Sequence, residues 1–203
     1  MSNQPYNSAL FPAFLKLMGR PVVLVGGGRV AIAKHAGLRA AGARVTVVAP
    51  RIAPALRDAE TVLIERPFEP ADLGEAWFVV AAAAPEVNRA VLVAAESRRL
   101  FVNAVDDPSA ATAYAGGVVR RGAVTLAIST GGEAPALAGL LREALEAVLP
   151  DDLTTWLATA RDERERWRAS GAPMERRRPL LLQALNRLYQ DDAPPWKSVE
   201  GRR

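Results

Sequence analysis

The stretch Pro21-Val22-Val23-Leu24-Val25-Gly26-Gly27-Gly28-Arg29-Val30-Ala31 runs a short apolar segment straight into three glycines. The five residues before the glycines have no polar alternation, as expected of a strand covered on both faces. After them Val30, Ala31, Ala33, Lys34, Leu38 and Ala41 recur at helical spacing until Gly42. Strand, glycine turn and helix in that order frame a G-x-G-x-x-A variant of the dinucleotide fingerprint, Gly26, Gly28 and Ala31. The first glycine permits the tight turn, the second lets a pyrophosphate approach the backbone, and Ala31 keeps the helix close to the sheet. Unpaired N–H groups at the helix start attract phosphate. The alternative is a tight strand-to-helix turn without a ligand.

Working outward, the pattern repeats. Val45 to Val48, Thr61 to Glu65, Trp77 to Ala82 and Leu100 to Val105 read as further strands. A short helix at about Pro54 to Ala59 and a longer one at Pro85 to Arg99, with proline at its start, separate them. Strands joined through helices pair in parallel, so this part reads as an α/β, doubly wound parallel sheet. Beyond it the pattern changes. Ala113 to Val119 and Ala123 to Ile128, separated by Arg120-Arg121-Gly122, read as a hairpin. A helix from about Ala136 to Val148 has Leu137, Leu140, Leu141, Leu145 and Val148 on its apolar face. Two more helices are expected across 151–189, with Trp156, Leu157, Trp167, Leu180, Leu181 and Leu185 as core candidates, then a loose polar tail from Asp191.

Composition narrows the chemistry. The 203 residues contain no cysteine and one histidine, His35. Disulfides, zinc or iron–sulfur centres built on thiolates, and a thiol nucleophile are excluded. His35 lies within the first helix and reads as a packing or surface residue. The start MSNQPYNSALF lacks the basic and apolar regions of a signal peptide, and no long uninterrupted apolar run suggests a membrane span. A cytoplasmic protein is expected. The net charge is +4, but residues 1–150 carry 15 basic and 13 acidic side chains and 151–203 carry 11 and 9. With the signs mixed and no basic run interleaved with aromatics, nucleic-acid binding is not expected.

Three places could carry chemistry. The first is the glycine turn. Its partner position, about 20 residues past the first glycine, usually holds an acid that binds the ribose of NAD. Here it reads Ala49-Pro50-Arg51. Arg51 could meet a 2′-phosphate or simply be solvated, so residues alone leave NAD and NADP open. The second is Asn103-Ala104-Val105-Asp106-Asp107-Pro108, at the carboxyl end of the fifth strand, where open α/β sheets bind ligands. One of its carboxylates could act as a general base, or Asp107-Pro108 could be only a turn. The third is Ser129-Thr130-Gly131-Gly132, whose hydroxyls and N–H groups could grip an anion or merely cap a helix.

Taken in order, VLVGGGRVAIAK, FVNAVDDP and LAISTGGEAPALAGLLREALE resemble the precorrin-2 dehydrogenase family, the N-terminal module of sirohaem synthase, over about Phe11 to Pro150. The resemblance implies a Rossmann-like NAD-binding domain over 1–112. It also implies a dimerisation and tetrapyrrole-site region over 113–150 and a helical region over 151–203. It implies NAD-dependent oxidation of precorrin-2 to sirohydrochlorin on the way to sirohaem or cobalamin, by a homodimer. Asp106 becomes the general base. The NAD contacts fall on Gly26, Gly27, Gly28, Arg29, Val30, Pro50 and Arg51. The tetrapyrrole contacts fall on Asn103, Ser129, Thr130, Gly131 and Gly132, with no resident metal. Departures are Thr130 where relatives often have serine, Ala115-Gly116-Gly117 where a proline is common, and Ala33 where an arginine often precedes the helix lysine. Ferrochelatase activity, known in bifunctional relatives, is left open, and no room is seen for a methyltransferase module. A nucleotide-sensing module without catalysis, or an NADP-dependent reductase, are the competing classes.

Overall fold

The computed structural model describes residues 10–189. The tail expected to be loose and nearly all of MSNQPYNSALF lie outside the described residues. The chain forms two compact units. One runs to Ala115 and takes back Gly131–Ala134; the other comprises Gly116–Thr130 and the chain from Pro135.

The first unit is a five-stranded parallel sheet. Its strands are β1 (Pro21–Val25), β2 (Arg44–Val48), β3 (Val62–Ile64), β4 (Phe78–Ala81) and β5 (Phe101–Ala104), in the order β3-β2-β1-β4-β5. The helix α1 (Arg29–Ala40) links β1 to β2, and α2 (Pro85–Glu96) links β4 to β5. The chain winds outward from β1 through β2 to β3, then returns to lay β4 on the free side of β1. That reversal opens a crevice at the carboxyl ends of β1 and β4.

Successive strand residues point to opposite faces, so an all-apolar strand feeds two cores. Val22, Leu24, Val45, Val47, Phe78 and Val80 pack with Ala31 and Leu38 of α1. Val23, Val25, Val48, Val79, Ala81, Val102 and Ala104 pack with Val91, Ala94 and Ala95 of α2. Each fully buried valine or leucine contributes roughly 1.5–3 kcal/mol relative to exposure.

The helix expected at 54–59 is a single 3-10 turn, Pro54–Leu56. A second, at Pro70–Leu73, was not anticipated. There the Asp72 carboxylate accepts from the Glu69 N–H at 2.8 Å and from both ends of the Arg66 fork at 2.5 and 2.8 Å. This pairing holds Asp72 below the usual carboxylate range. At the opposite end of the sheet from the crevice, the Arg20 guanidinium lies 3.7 Å from the centre of the Trp77 ring.

In the second unit β6 (Gly117–Arg121) and β7 (Val124–Ile128) form an antiparallel hairpin turned at Gly122-Ala123. The first of these strands had been expected from Ala113. Instead the N–H groups of Thr112 and Ala113 both donate to the Val102 carbonyl at 2.9 Å, which ties that segment beside β5. The helices are α3 (Pro135–Val148), α4 (Leu153–Ser170) and α5 (Met174–Arg187). Trp156 donates its indole N–H to the Tyr189 hydroxyl at 2.5 Å, and that hydroxyl donates to Asp152. The six core candidates of 151–189 are only half-buried. Leu153 and Ala184 are the buried apolar residues of these two helices. On α3, Leu137, Leu140, Leu141 and Val148 are exposed, and Ala138 alone is buried.

Candidate nucleotide site at the carboxyl edge of the sheet

The glycine turn lies where the strand order reverses. Gly26 has φ +128° and is so close to the end of β4 that a Cβ would stand 2.3 Å from the Ala82 carbonyl oxygen. A Cβ on Gly27 would stand 2.0 Å from the Arg51 carbonyl oxygen, and the Gly27 carbonyl accepts the Ala53 N–H at 2.9 Å. No side chain fits at either position, so glycine here is a packing requirement. Gly28 differs. It precedes the first turn of α1, and its Cβ direction meets nothing within 4 Å. That first turn has neither a side-chain cap nor an acidic residue, which leaves its N–H groups and positive dipole for a ligand. A close-walled turn with its third glycine facing open space fits a nucleotide pyrophosphate.

Beside the turn lies a pocket of about 260 Å³. It is lined by Val25 and Gly26 at the end of β1, Val48, Ala49 and Pro50 at the end of β2, Pro67 and Phe68, and Ala83, Glu86, Val87 and Ala90 after β4. Its mostly apolar lining suits a planar base. Arg29 and Val30 occupy the first helical turn, both exposed, and Arg51 follows Pro50 at the pocket's edge, also exposed. The structure thus brings together Gly26, Gly27, Gly28, Arg29, Val30, Pro50 and Arg51.

Farther along the same edge, the Val105 N–H donates to the Ala81 carbonyl at 2.8 Å, which keeps the end of β5 against β4. Asp106 comes next. It is exposed and has φ +57°, a left-handed conformation that aspartate tolerates better than most residues. It stands two strand spacings from the glycine turn, roughly 10 Å. Its neighbour Asp107 accepts the Ser109 hydroxyl at 2.6 Å and precedes the 3-10 turn Pro108–Ala110, so that carboxylate shapes the loop. Asn103 is buried in β5. Its amide nitrogen donates to the Ala113 carbonyl at 3.0 Å, while its Oδ1 is buried without a hydrogen-bond partner among the described residues.

The third motif is divided between the two units. Gly131 and Gly132 belong with the sheet, where a Cβ on Gly132 would lie 3.2 Å from Pro108 and 3.1 Å from Tyr114. Ser129 and Thr130 follow β7 in the other unit. His35 is buried in α1, its Nε2 2.8 Å from the Thr61 hydroxyl and 3.5 Å from Asp58. Burial lowers its pKa, with Asp58 opposing and Arg39 adding to the effect. It is a packing residue away from the glycine turn.

The family model described as putative NAD(P)-binding matches residues 13–117, and the sirohaem biosynthesis protein central model matches 121–147. Siroheme synthase 3 of Aeromonas hydrophila is 45% identical over 172 residues, covering 82% of this chain and 37% of that protein. A siroheme synthase of Xylella fastidiosa is 44% identical over 164 residues, covering 76% and 34%. The chain therefore spans little more than a third of the length of these relatives. Among solved structures, "SirC, precorrin-2 dehydrogenase" superposes with a TM-score of 0.69 at 26% identity, covering 86% of this chain and 88% of that one. With a match extending over more than half of its length, the chain belongs to the family described as putative NAD(P)-binding, and the sirohaem biosynthesis protein central model matches the segment that holds β7 and most of α3.

Proposed function

We propose that this chain catalyses the NAD-dependent dehydrogenation of precorrin-2 to sirohydrochlorin. The observation that carries this reading is an exposed carboxylate, Asp106, on the same strand-end edge as a glycine turn shaped for a pyrophosphate. The solved neighbour is itself named a precorrin-2 dehydrogenase. Gly26, Gly27 and Gly28 with the N–H groups of Arg29 and Val30 would hold the pyrophosphate, and Pro50 and Arg51 would border the adenosine. A nicotinamide held there would supply the hydride acceptor for the macrocycle's oxidation. Asp106 takes the accompanying proton, so that one C–H hydride and one proton leave for each two-electron oxidation. Asn103, Ser129, Thr130, Gly131 and Gly132 flank the tetrapyrrole.

We infer further that the working form is a homodimer. Leu137, Leu140, Leu141 and Val148 present an apolar face on α3 that a second copy of the chain would cover.

The test is anaerobic incubation with precorrin-2 and NAD⁺, following sirohydrochlorin and NADH by absorbance. Equimolar appearance of both products is expected. Folded protein that binds nucleotide yet yields neither would overturn the reading in favour of a nucleotide-sensing module.

A further inference from the structure

We propose that Thr112 is a positioning residue for the dehydrogenation: by clamping the loop that leaves β5, it sets where the Asp106 carboxylate stands. The inference rests on the reading of Asp106 as general base and adds the residue that holds it in place.

β5 is the last strand of the sheet, so one of its sides faces no other strand. Val102 in β5 is fully buried and turns its N–H and carbonyl to that free side. Buried backbone groups require partners. Thr112 supplies one to each: its hydroxyl accepts the Val102 N–H at 2.8 Å, and its own N–H donates to the Val102 carbonyl at 2.9 Å. The Ala113 N–H reaches the same carbonyl at 2.9 Å, and the Asn103 amide donates to the Ala113 carbonyl at 3.0 Å. Thr112 thus returns the chain to the strand it left at Ala104 and closes the loop 105–111.

Asp106 stands in this loop, exposed and with φ +57°. Its carboxylate has no hydrogen-bond or ion-pair partner among the described residues, so its place depends on the backbone that carries it. A non-glycine residue keeps a left-handed conformation where its surroundings over-determine it. Before it, the Val105 N–H is bonded to the Ala81 carbonyl at 2.8 Å. After it, the Ala110 N–H bonds the Asp107 carbonyl at 3.1 Å and the Ala111 N–H bonds the Pro108 carbonyl at 3.3 Å. That internally bonded turn carries the anchor at Thr112 back to the neighbour of Asp106. A general base works within hydrogen-bond reach of its proton, and a displacement of about 1 Å can cost roughly 100-fold in rate. Valine has the shape of threonine, but a methyl carbon sits no nearer than roughly 3.5 Å where the hydroxyl stands at 2.8 Å. Thr112→Val therefore pushes the return limb outward and leaves the Val102 N–H unpaired, whereas serine keeps the acceptor.

Steady-state kinetics of the full chain with precorrin-2 and NAD⁺ test this. Thr112→Val should lower kcat at least tenfold while KM for NAD⁺ stays within twofold, and Thr112→Ser should restore most of the loss. In an Asp106→Asn background, Thr112→Val should lower the residual rate less than twofold, because no base remains to be misplaced. A merely structural role would exact its full loss in that background too. Thr112→Ala, which removes the acceptor without setting a methyl against the N–H, takes the same place in both comparisons where the valine variant does not fold. Hydrogen exchange on the wild-type chain reads the clamp directly: the Val102 amide should exchange at least 100-fold more slowly than an exposed amide. A kcat loss under tenfold overturns the proposal, as does full additivity with Asp106→Asn or an unprotected Val102 amide. Wild-type protein that binds nucleotide yet forms no sirohydrochlorin overturns the dehydrogenase reading itself, and this inference with it.

Discussion

The two units handle the same kind of side chain in opposite ways. In the sheet unit, valines and leucines disappear into two cores, one under each helix layer, and Leu24, Val47, Val79 and Val102 are fully buried. In the other unit, only Val119, Ala138, Leu153 and Ala184 among the described apolar residues are buried, and α3 leaves a row of leucines exposed. A parallel sheet closes its own core because its crossovers return helices to both faces. A hairpin with three helices has no such rule and relies on what covers it.

The comparison can be broken in order of effect. Asp106→Asn should reduce turnover by at least 100-fold, about 2.7 kcal/mol of barrier. Nucleotide affinity and melting temperature should hold, since asparagine also tolerates a left-handed backbone. Retained turnover in a kinetic assay would remove Asp106 from the chemistry. Leu24→Ala should destabilise the sheet unit by about 2–5 kcal/mol in denaturant unfolding, because the packed strands cannot close the cavity. A loss under 1 kcal/mol would mean that this core is looser than described.

The opposite response is expected from Leu137→Lys with Leu140→Lys. Sedimentation should show dissociation to monomers, with the sheet unit still folded and still binding nucleotide. Wild-type protein that sediments as a monomer would leave α3 without its proposed partner. The smallest effect concerns pH. His35 and Asp72 both titrate below their ordinary values in the folded chain. The stability each contributes is therefore present above its unfolded pKa and is lost as the pH falls through the folded one. Melting temperature should decline as the pH drops below about 6.5, the ordinary histidine value. In His35→Gln that decline should move to lower pH, and in Asp72→Asn the later acid decline should flatten. Unaltered profiles would refute these assignments.

What was legible followed the same divide. Uninterrupted Val-rich runs announced the buried strands, and strand-glycine-helix order announced the turn at Gly26. The strand from Ala113 was misread because its apolar residues belong to a loop held by the Val102 carbonyl, a contact no local pattern encodes. Trp156 and Leu181 were expected in a core because helical spacing shows a face and not what lies against it. The 3-10 turn at Pro70 was missed although Glu69-Pro70-Ala71-Asp72 carries the proline and acidic signals of a helix start. Asp106 could be located at a strand end, but its left-handed backbone and its exposure needed coordinates.

Trp77 has a use that its packing does not suggest. It stands at the amino end of β4, about 16 Å along the strand from the glycine turn, with Arg20 clamped over its ring. Reduced nicotinamide absorbs where tryptophan emits, whereas the oxidised form does not. A variant retaining Trp77 as its sole indole would carry a built-in energy-transfer donor at fixed range from the nucleotide. Its emission would report, turnover by turn, whether the cofactor on the same sheet is spent or fresh.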